Sequence, residues 1–294
     1  MRITNAMTYA TSLRQVQDLT AAQAQVSNQV TTGQRNALVS DDPAAAAQVL
    51  QIDSESRAIT QYQRNISSVR AGLNGEESTL NQIGDLLNRA KELATSQGDS
   101  SANAASRAAS AAEVDSLLQQ AISLGNLKIG DQYVFGGNVT NTAPFQPNGT
   151  YVGDNAVRTT QIGENQSVTT NHNGDQLLVS SGVIQSLTTL RNAMNANDPA
   201  AIRNTITNID TAFDQTQTNL AEVGAGTNAL DAAVTQLDGR TTTLTNSRSA
   251  IAEIPLAEAS LKLAQVQTAL QAAFLATSKI LNTSIVPYLT GVTQ

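Results

Sequence analysis

Two adjacent carboxylates, Asp41 and Asp42, stand near the start of the chain in the stretch QVTTGQRNALVSDDPAAAAQ, residues 29–48. A pair of carboxylates can bind a divalent cation or act as an acid–base pair in catalysis. Asp42, however, directly precedes Pro43 and a run of alanines, which is typical of a helix start with Asp at the N-cap and Pro at the first helical position. We therefore interpret Asp42 as a helix cap and Asp41 as a charge that favours the positive N-terminal end of the same helix.

The other residue types give little support to catalysis. The chain has one histidine and no cysteine, so neither a Ser–His–Asp set nor a Cys/His metal site is favoured. The histidine, His172, lies in TNHNGD, where Asn and Gly predict an exposed turn. The glycines of FGGNVTN lack the strand-to-helix context of a nucleotide-binding loop. We predict no catalytic residue, no cofactor and no metal site, and therefore no enzyme.

Composition and charge restrict the partners. Of the 294 residues, 40% are hydrophobic but only 3% are aromatic, so small aliphatic side chains must form the core. The formal net charge of -7 disfavours binding to nucleic acid. No stretch approaches the ~20 apolar residues of a membrane-spanning helix, and the N-terminus lacks the apolar region of a secretory signal. We expect no membrane insertion and no cleaved signal peptide.

Apolar residues at alternating spacings of three and four dominate both ends of the chain and predict long helices. Between residues 59 and 94 this pattern is broken mainly at Glu76, and it predicts one helix from residue 43 to about residue 97. A second helix is predicted at about residues 106–124. Helical patterns return at Val183, after Asp198 and Pro199, and again after Pro255.

The segment of about residues 131–182 has a different pattern. Short β-branched or aromatic runs, among them TTQIGENQSVTT and NHNGDQLLV, alternate with Asn-Gly and Gly-Asp pairs, which predicts strands and hairpins. We expect this β-rich insert to have a small core of its own, made by the four aromatic residues Tyr133, Phe135, Phe145 and Tyr151.

The predicted fold class is mainly α with a β insert. We expect an elongated helical stalk in which the N- and C-terminal segments run side by side, with the small β domain at its tip. Three domains follow: terminal helices at residues 1–42 with 255–294, a long-helix bundle at residues 43–130 with 183–254, and the β-rich insert at residues 131–182.

Several motifs carry a resemblance to a known family. The stretch at residues 29–48 resembles the N-terminal signature of flagellins and their axial relatives, in which a terminal helix ends in Thr-Gly and Ser-Asp-Asp-Pro opens the long helix. GDQYVFGGNVTNTAPFQPNGTYVGD and QTALQAAFLATSKILNTSIVPYL are more narrowly similar to the flagellar hook-associated proteins of type 3, a group of hook-filament junction proteins. The resemblance spans essentially the whole chain.

The resemblance implies a non-enzymatic structural adaptor that joins the hook region to the flagellin filament. It implies an extracellular location in the bacterial flagellum and type III export without a cleaved signal. The implied partners are further copies of the chain in a helical ring, the other hook-filament junction protein, flagellin, and an export chaperone on the C-terminal helix. Two alternatives remain open: flagellin itself, and a cytoplasmic coiled-coil interaction protein.

We predict that the terminal helices present an assembly seam. Its residues are Leu13, Val16, Val26 and Val30 in the N-terminal segment and Leu263, Val266, Leu270 and Ile280 in the C-terminal segment. Polar residues at Thr20, Gln23 and Ser27 interrupt the N-terminal part and weaken a solution with two helices alone. We therefore expect the two ends to become ordered on assembly.

Overall fold

The computed structural model describes residues 5–35 and 39–289. Within these ranges the chain forms six α-helices: α1 (Asn5–Thr32), α2 (Pro43–Gln97), α3 (Ala104–Gly125), α4 (Val183–Asn195), α5 (Pro199–Ala252) and α6 (Leu256–Leu289). Strands β1 (Lys128–Ile129) and β2 (Gln132–Tyr133) pair antiparallel, as do β3 (Thr159–Gly163) and β4 (Gln166–Thr169). A short π-helix covers Asp175–Val179. The predicted fold class, mainly α with a β insert, is confirmed.

Internal contacts divide the chain into two compact units. The terminal unit takes the described residues up to Arg57 and those from Arg240 onward, and the central unit is Ala58–Gly239. The three domains expected from the sequence have other boundaries, and they stay a prediction. No helix in the described ranges is long and apolar enough to span a lipid bilayer.

The long helix α5 begins where the sequence predicts it. Asp198 accepts hydrogen bonds at Oδ1 from the backbone N–H groups of Ala200 and Ala201, both at 3.0 Å, which is N-cap geometry. The helix continues through a glycine-rich segment at residues 224–226. A Cβ atom at Gly226 would lie 3.3 Å from Leu73 Cδ1, so the glycine permits close approach of α5 to α2.

Aliphatic side chains from four helices, α2, α3, α4 and α5, form the main core of the central unit. Residues in this core expose 1% of their surface or less, among them Leu73, Leu80, Ile83, Leu87, Val114, Leu187, Leu190 and Ile202. Two ion pairs, Arg70–Asp231 at 2.6 Å and Lys91–Asp210 at 2.6 Å, connect α2 to α5 at the surface of this unit. Such exposed pairs contribute little to stability, so the apolar core holds the unit together.

One predicted strand of the insert is wrong and one predicted hairpin is confirmed. β3 and β4 form the hairpin within TTQIGENQSVTT, and Asn165 in its turn has a left-handed φ of 58°. In NHNGDQLLV the last five residues, Asp175–Val179, instead form the π-helix. Leu177 and Leu178 are adjacent and both fully buried, whereas a strand would send them to opposite faces.

Two of the four aromatic residues of the insert pack together, with the ring centroids of Phe145 and Tyr151 5.2 Å apart, but their core is not separate from that of the helices. Phe145 is buried, but a Cβ atom at Gly125 of α3 would lie 2.7 Å from its Cδ2 and 2.5 Å from Leu178 Cδ1. Asn126, directly after α3, donates from Nδ2 to Phe145 O and accepts at Oδ1 from Phe145 N–H, each at 2.9 Å. The insert therefore extends the core of the central unit.

A buried arginine joins two turns of the central unit. Arg107 of α3 donates to Gln97 O at 3.0 Å, to Asp99 O at 2.8 Å and to Asn197 Oδ1 at 2.7 Å. These acceptors lie at the end of α2, in the following turn, and just before α5. One guanidinium thus fixes both turns at this end of the unit.

Candidate assembly surface

Helices α1 and α6 of the terminal unit pack against each other and carry the predicted assembly seam. Six seam residues are half-buried, namely Val16, Val26, Val30, Leu263, Val266 and Leu270. Leu13 is 42% exposed. Ile280 belongs to α6, but its side chain lies outside the described part of the structure. The structure thus brings together the two helices that carry the seam.

The pairing of α1 with α6 leaves their apolar residues incompletely covered. No described side chain of α1 is buried, and in the described part of α6 only Ala259 is buried. In a helical bundle the residues of a seam insert into holes formed by facing helices and become fully enclosed. The half-burial of these six seam residues therefore leaves room for further helices.

The opposite face of α6 carries exposed apolar side chains as well. Leu261 and Leu275 are 61% and 68% exposed and lie two heptads apart, on the side of the helix away from Leu263 and Leu270. A surface helix normally carries polar residues on its outer face, whereas a helix that is apolar on opposite faces is normally buried on both. This face of α6 has the composition of a contact surface.

Two backbone hydrogen bonds connect the residues just after α1 to those just before α6. Gly33 ends α1 with a left-handed φ of 69°, which glycine adopts without strain. Arg35 N–H donates to Ala252 O at 2.8 Å, and Ile254 N–H donates to Gly33 O at 3.0 Å. α6 begins directly after Pro255. The sequence analysis did not predict this pairing, although Gly33 and Pro255 each mark a helix boundary.

The two carboxylates of the opening stretch lie at the start of α2. Asp42 Oδ1 accepts a hydrogen bond from Ala45 N–H at 2.9 Å, and α2 begins at Pro43. This is the bond of an N-cap; its contribution to stability, and the role of Asp41, stay predictions. Among the residues that the structure describes, no group of three or more His, Cys, Asp or Glu side chains could hold a metal ion.

An apolar groove lies between the start of α2 and the end of α5 in the terminal unit. Its volume is about 290 Å³, and its lining includes Val39, Val49, Leu50 and Ile251. Val39 and Leu50 are 70% and 63% exposed, so the groove adds apolar surface to that of α6.

The sole histidine is not in an exposed turn, and that prediction is wrong. The side chain of His172 is only 14% exposed, and its Nδ1 lies 2.7 Å from Oε2 of the fully buried Glu76. Its Nε2 lies 3.7 Å from a carboxylate oxygen of Glu222. The hydrogen bond to Glu76 raises the pKa of His172 above its ordinary value, and the charges of both glutamates act in the same direction. The break in the apolar pattern at Glu76 was the available signal.

Comparison with protein families finds matches to both helical parts of the chain. The bacterial flagellin N-terminal helical region matches residues 3–140, and the bacterial flagellin C-terminal helical region matches residues 206–289. The chain belongs to the flagellin family. The two flagellin regions include α1 and α6, and thus both halves of the assembly seam.

Relatives within the flagellin family are hook-associated proteins. The flagellar hook-associated protein 3 of Escherichia coli K12 and that of Salmonella typhimurium LT2 are each 29% identical over 181 residues, which are 60% of this chain and 56% of theirs. The match thus spans little more than half the length of these curated relatives.

Solved structures of similar fold cover more of the chain. FlgL of Bacillus cereus is 26% identical with a TM-score of 0.61, and the match covers 68% of this chain and 99% of that structure. FlgL of Xanthomonas campestris, at 20% identity and a TM-score of 0.59, covers 67% of this chain and 99% of its own and shares the fold.

Proposed function

We propose that the chain is a non-enzymatic structural adaptor that joins the hook region of the bacterial flagellum to the flagellin filament. The observation that carries this proposal is the half-buried seam of α1 and α6, together with the apolar outer face marked by Leu261 and Leu275. Both helices lie in regions that match flagellin, and the relatives are named for association with the hook.

The proposed partners follow from this surface and from the family. Further copies of the chain in a helical ring would cover the open sides of α1 and α6. The other hook-filament junction protein would bind on the hook side and flagellin on the filament side. We propose an extracellular location at this junction, reached by export without a cleaved signal peptide.

A flagellar export chaperone is the proposed partner before assembly. Leu256, Leu261, Phe274 and Leu275 of α6 are all more than half exposed, at 63%, 61%, 54% and 68%. Apolar side chains at this density favour aggregation in water unless a partner covers them. A chaperone that binds α6 would protect this helix until the chain is exported.

Deletion of the encoding gene in a flagellated bacterium tests the proposal. We expect cells with hooks but no filaments, and flagellin released into the medium, because the filament has no base on which to grow. Complementation with the gene should restore filaments. Sheared flagella should contain the chain in trace amount; bulk amount would favour the alternative of a filament subunit. Normal filaments in the deletion strain would contradict the adaptor role.

A further inference from the structure

A second pocket lies in the central unit, at the junction of α2 with the two β-hairpins. Its volume is about 250 Å³. It is lined mainly by polar residues from three parts of the chain, including Ser68 of α2, Gln132 and Tyr133 of β2, Arg158 just before β3, Thr160 of β3 and Thr170 just after β4. Polar groups in a pocket can fix the orientation of a bound small molecule.

Arg158 is held in this pocket by its backbone but not by its side chain. Its N–H donates to Asn171 Oδ1 at 2.7 Å, and its carbonyl accepts from Thr170 N–H at 2.8 Å. Its guanidinium forms no ion pair with a residue in the described ranges. The Nε–H is buried and has no hydrogen-bond partner among the residues that the structure describes.

An unpaired buried guanidinium N–H is destabilising, and such groups in native proteins call for a structural or functional explanation. The planar fork of an arginine matches the two oxygens of a carboxylate. Arg158 is the one charged residue in the described lining of this pocket, in a chain with a net charge of -7.

We propose that this pocket binds a small hydroxylated carboxylate of the size of a sugar acid. Arg158 would bind the carboxylate, and the hydroxyl groups of Tyr133 and Thr160 would bind ligand hydroxyls. The pocket volume suits a single ring better than a chain of sugars. This function would be additional to assembly, because every residue of the pocket belongs to the central unit.

Titration of the free full-length chain with glucuronate, followed by calorimetry and by chemical shifts, tests the proposal. We expect saturable binding with a Kd on the order of 1 mM, as for a ligand of about 13 non-hydrogen atoms at typical efficiency. Glucose should not bind measurably. Arg158→Gln should weaken glucuronate binding by about tenfold or more, because a charged hydrogen bond is lost.

Arg64→Gln is the matched control, since Arg64 is an exposed arginine of α2 that donates to nearby Gln61. It should leave glucuronate binding unchanged. If Arg158→Gln alters the circular dichroism, Ser68→Leu replaces it, because a leucine at this exposed position would fill the pocket and should abolish binding without unfolding.

Four results would overturn the proposal: no saturation by glucuronate, equal affinity for glucose, binding of inorganic phosphate alone, or full binding by the Ser68→Leu variant. An equal loss of affinity in the Arg64→Gln control would also contradict it, because a general charge effect would then explain the binding.

Discussion

Glu76 places a carboxylate with no exposed side-chain surface among the apolar residues of α2. An isolated buried carboxylate is strongly destabilising, so its partners decide whether the central unit tolerates it. His172 supplies both partners: its Nδ1 lies at 2.7 Å from Oε2 and its backbone N–H donates to Oε1 at 3.3 Å. This contact attaches the segment before the π-helix to α2.

We predict that this contact makes stability depend on pH. The pKa of His172 is raised in the folded chain by its bond to Glu76. The ion pair therefore contributes fully below the ordinary histidine pKa of about 6.5, and its contribution is lost as pH rises through the raised value. Urea denaturation between about pH 6 and 9 should show the wild type losing its advantage over His172→Ala.

At the acidic end of that range His172→Ala should lower the free energy of unfolding by about 3 kcal/mol, because it leaves Glu76 buried without a charged partner. Glu76→Gln is the matched control, and its stability should lack this pH dependence. If wild type and His172→Ala gave parallel curves over the whole range, the ion pair would not contribute as proposed.

The cap at Asp42 leads to a second prediction at the scale of the residue. Asp42→Ala should lower the free energy of unfolding by about 1 kcal/mol, because Ala45 N–H loses its acceptor. Asp42→Asn should remain close to the wild type, since asparagine caps equally well. Calorimetry with divalent metals gives the opposing outcome: tight binding in the wild type that disappears in Asp42→Ala would favour a metal site.

The two residue-level features differ in how far the sequence could predict them. The N-cap depends on neighbours, so Asp-Asp-Pro before an alanine run was enough to place Asp42 at a helix start. The pairing of His172 with Glu76 joins positions 96 residues apart. The Asn and Gly beside His172 describe only its local turn, and nothing local specifies which helix lies against that turn.

At the scale of elements, the long helices could be predicted because their apolar spacing repeats over many turns. In the insert the β3–β4 hairpin could be predicted from its turn residues, but the packing of the insert could not, because it depends on contacts with distant residues. Phe145 packs against the position of Gly125 in α3, and the adjacent Leu177 and Leu178 are both buried. A run of apolar residues in a short segment fits a strand or a helix equally well.

We predict that Arg107 is the strongest single tie between elements of the central unit. Arg107→Ala should cost about 3 kcal/mol or more in denaturation experiments, because three charged hydrogen bonds are lost and two backbone carbonyls lose a donor. Arg107→Lys keeps the charge but not the planar guanidinium. Its free energy of unfolding should lie between those of the wild type and Arg107→Ala.

The control for Arg107 is Arg89→Ala, which removes a surface arginine that pairs with Glu92 and Glu113. We expect this variant to unfold like the wild type, because water screens exposed ion pairs. An equal loss of unfolding free energy in Arg107→Ala and Arg89→Ala would show that the buried arginine stabilises the chain no more than an exposed one.

At the scale of the whole molecule, the described core is distributed unevenly between the two units. The long apolar side chains with almost no exposure, from Leu73 to Ile202, all belong to the central unit. In α1 and α6 the described apolar side chains remain half-buried or exposed, apart from Ala259. Assembly and stability of the free chain should therefore depend on different residues, which a pair of variants can separate.

The double variant Leu263→Asp with Leu270→Asp should abolish incorporation into flagella and leave the melting temperature of the free chain almost unchanged. Both leucines are half-buried in the seam, so their loss removes contact surface rather than core. Leu73→Asp is the control, since Leu73 is 1% exposed and its replacement should strongly lower the melting temperature. A large fall in melting temperature for the double seam variant would show that the seam already stabilises the free chain.

Hydrogen exchange on the free chain at low concentration separates the two units directly. Amides of α1 and α6 should exchange quickly, because opening these helices exposes few buried apolar side chains. Amides of α2 from Ile59 to Ala94 should exchange slowly, since this stretch contributes Leu80, Ile83 and Leu87 to the core. In assembled flagella the amides of α1 and α6 should become protected, because neighbouring subunits then cover both apolar faces of α6. Protection of α1 and α6 in the free chain equal to that of α2 would contradict ordering on assembly, since the terminal helices would then be stable without any neighbour.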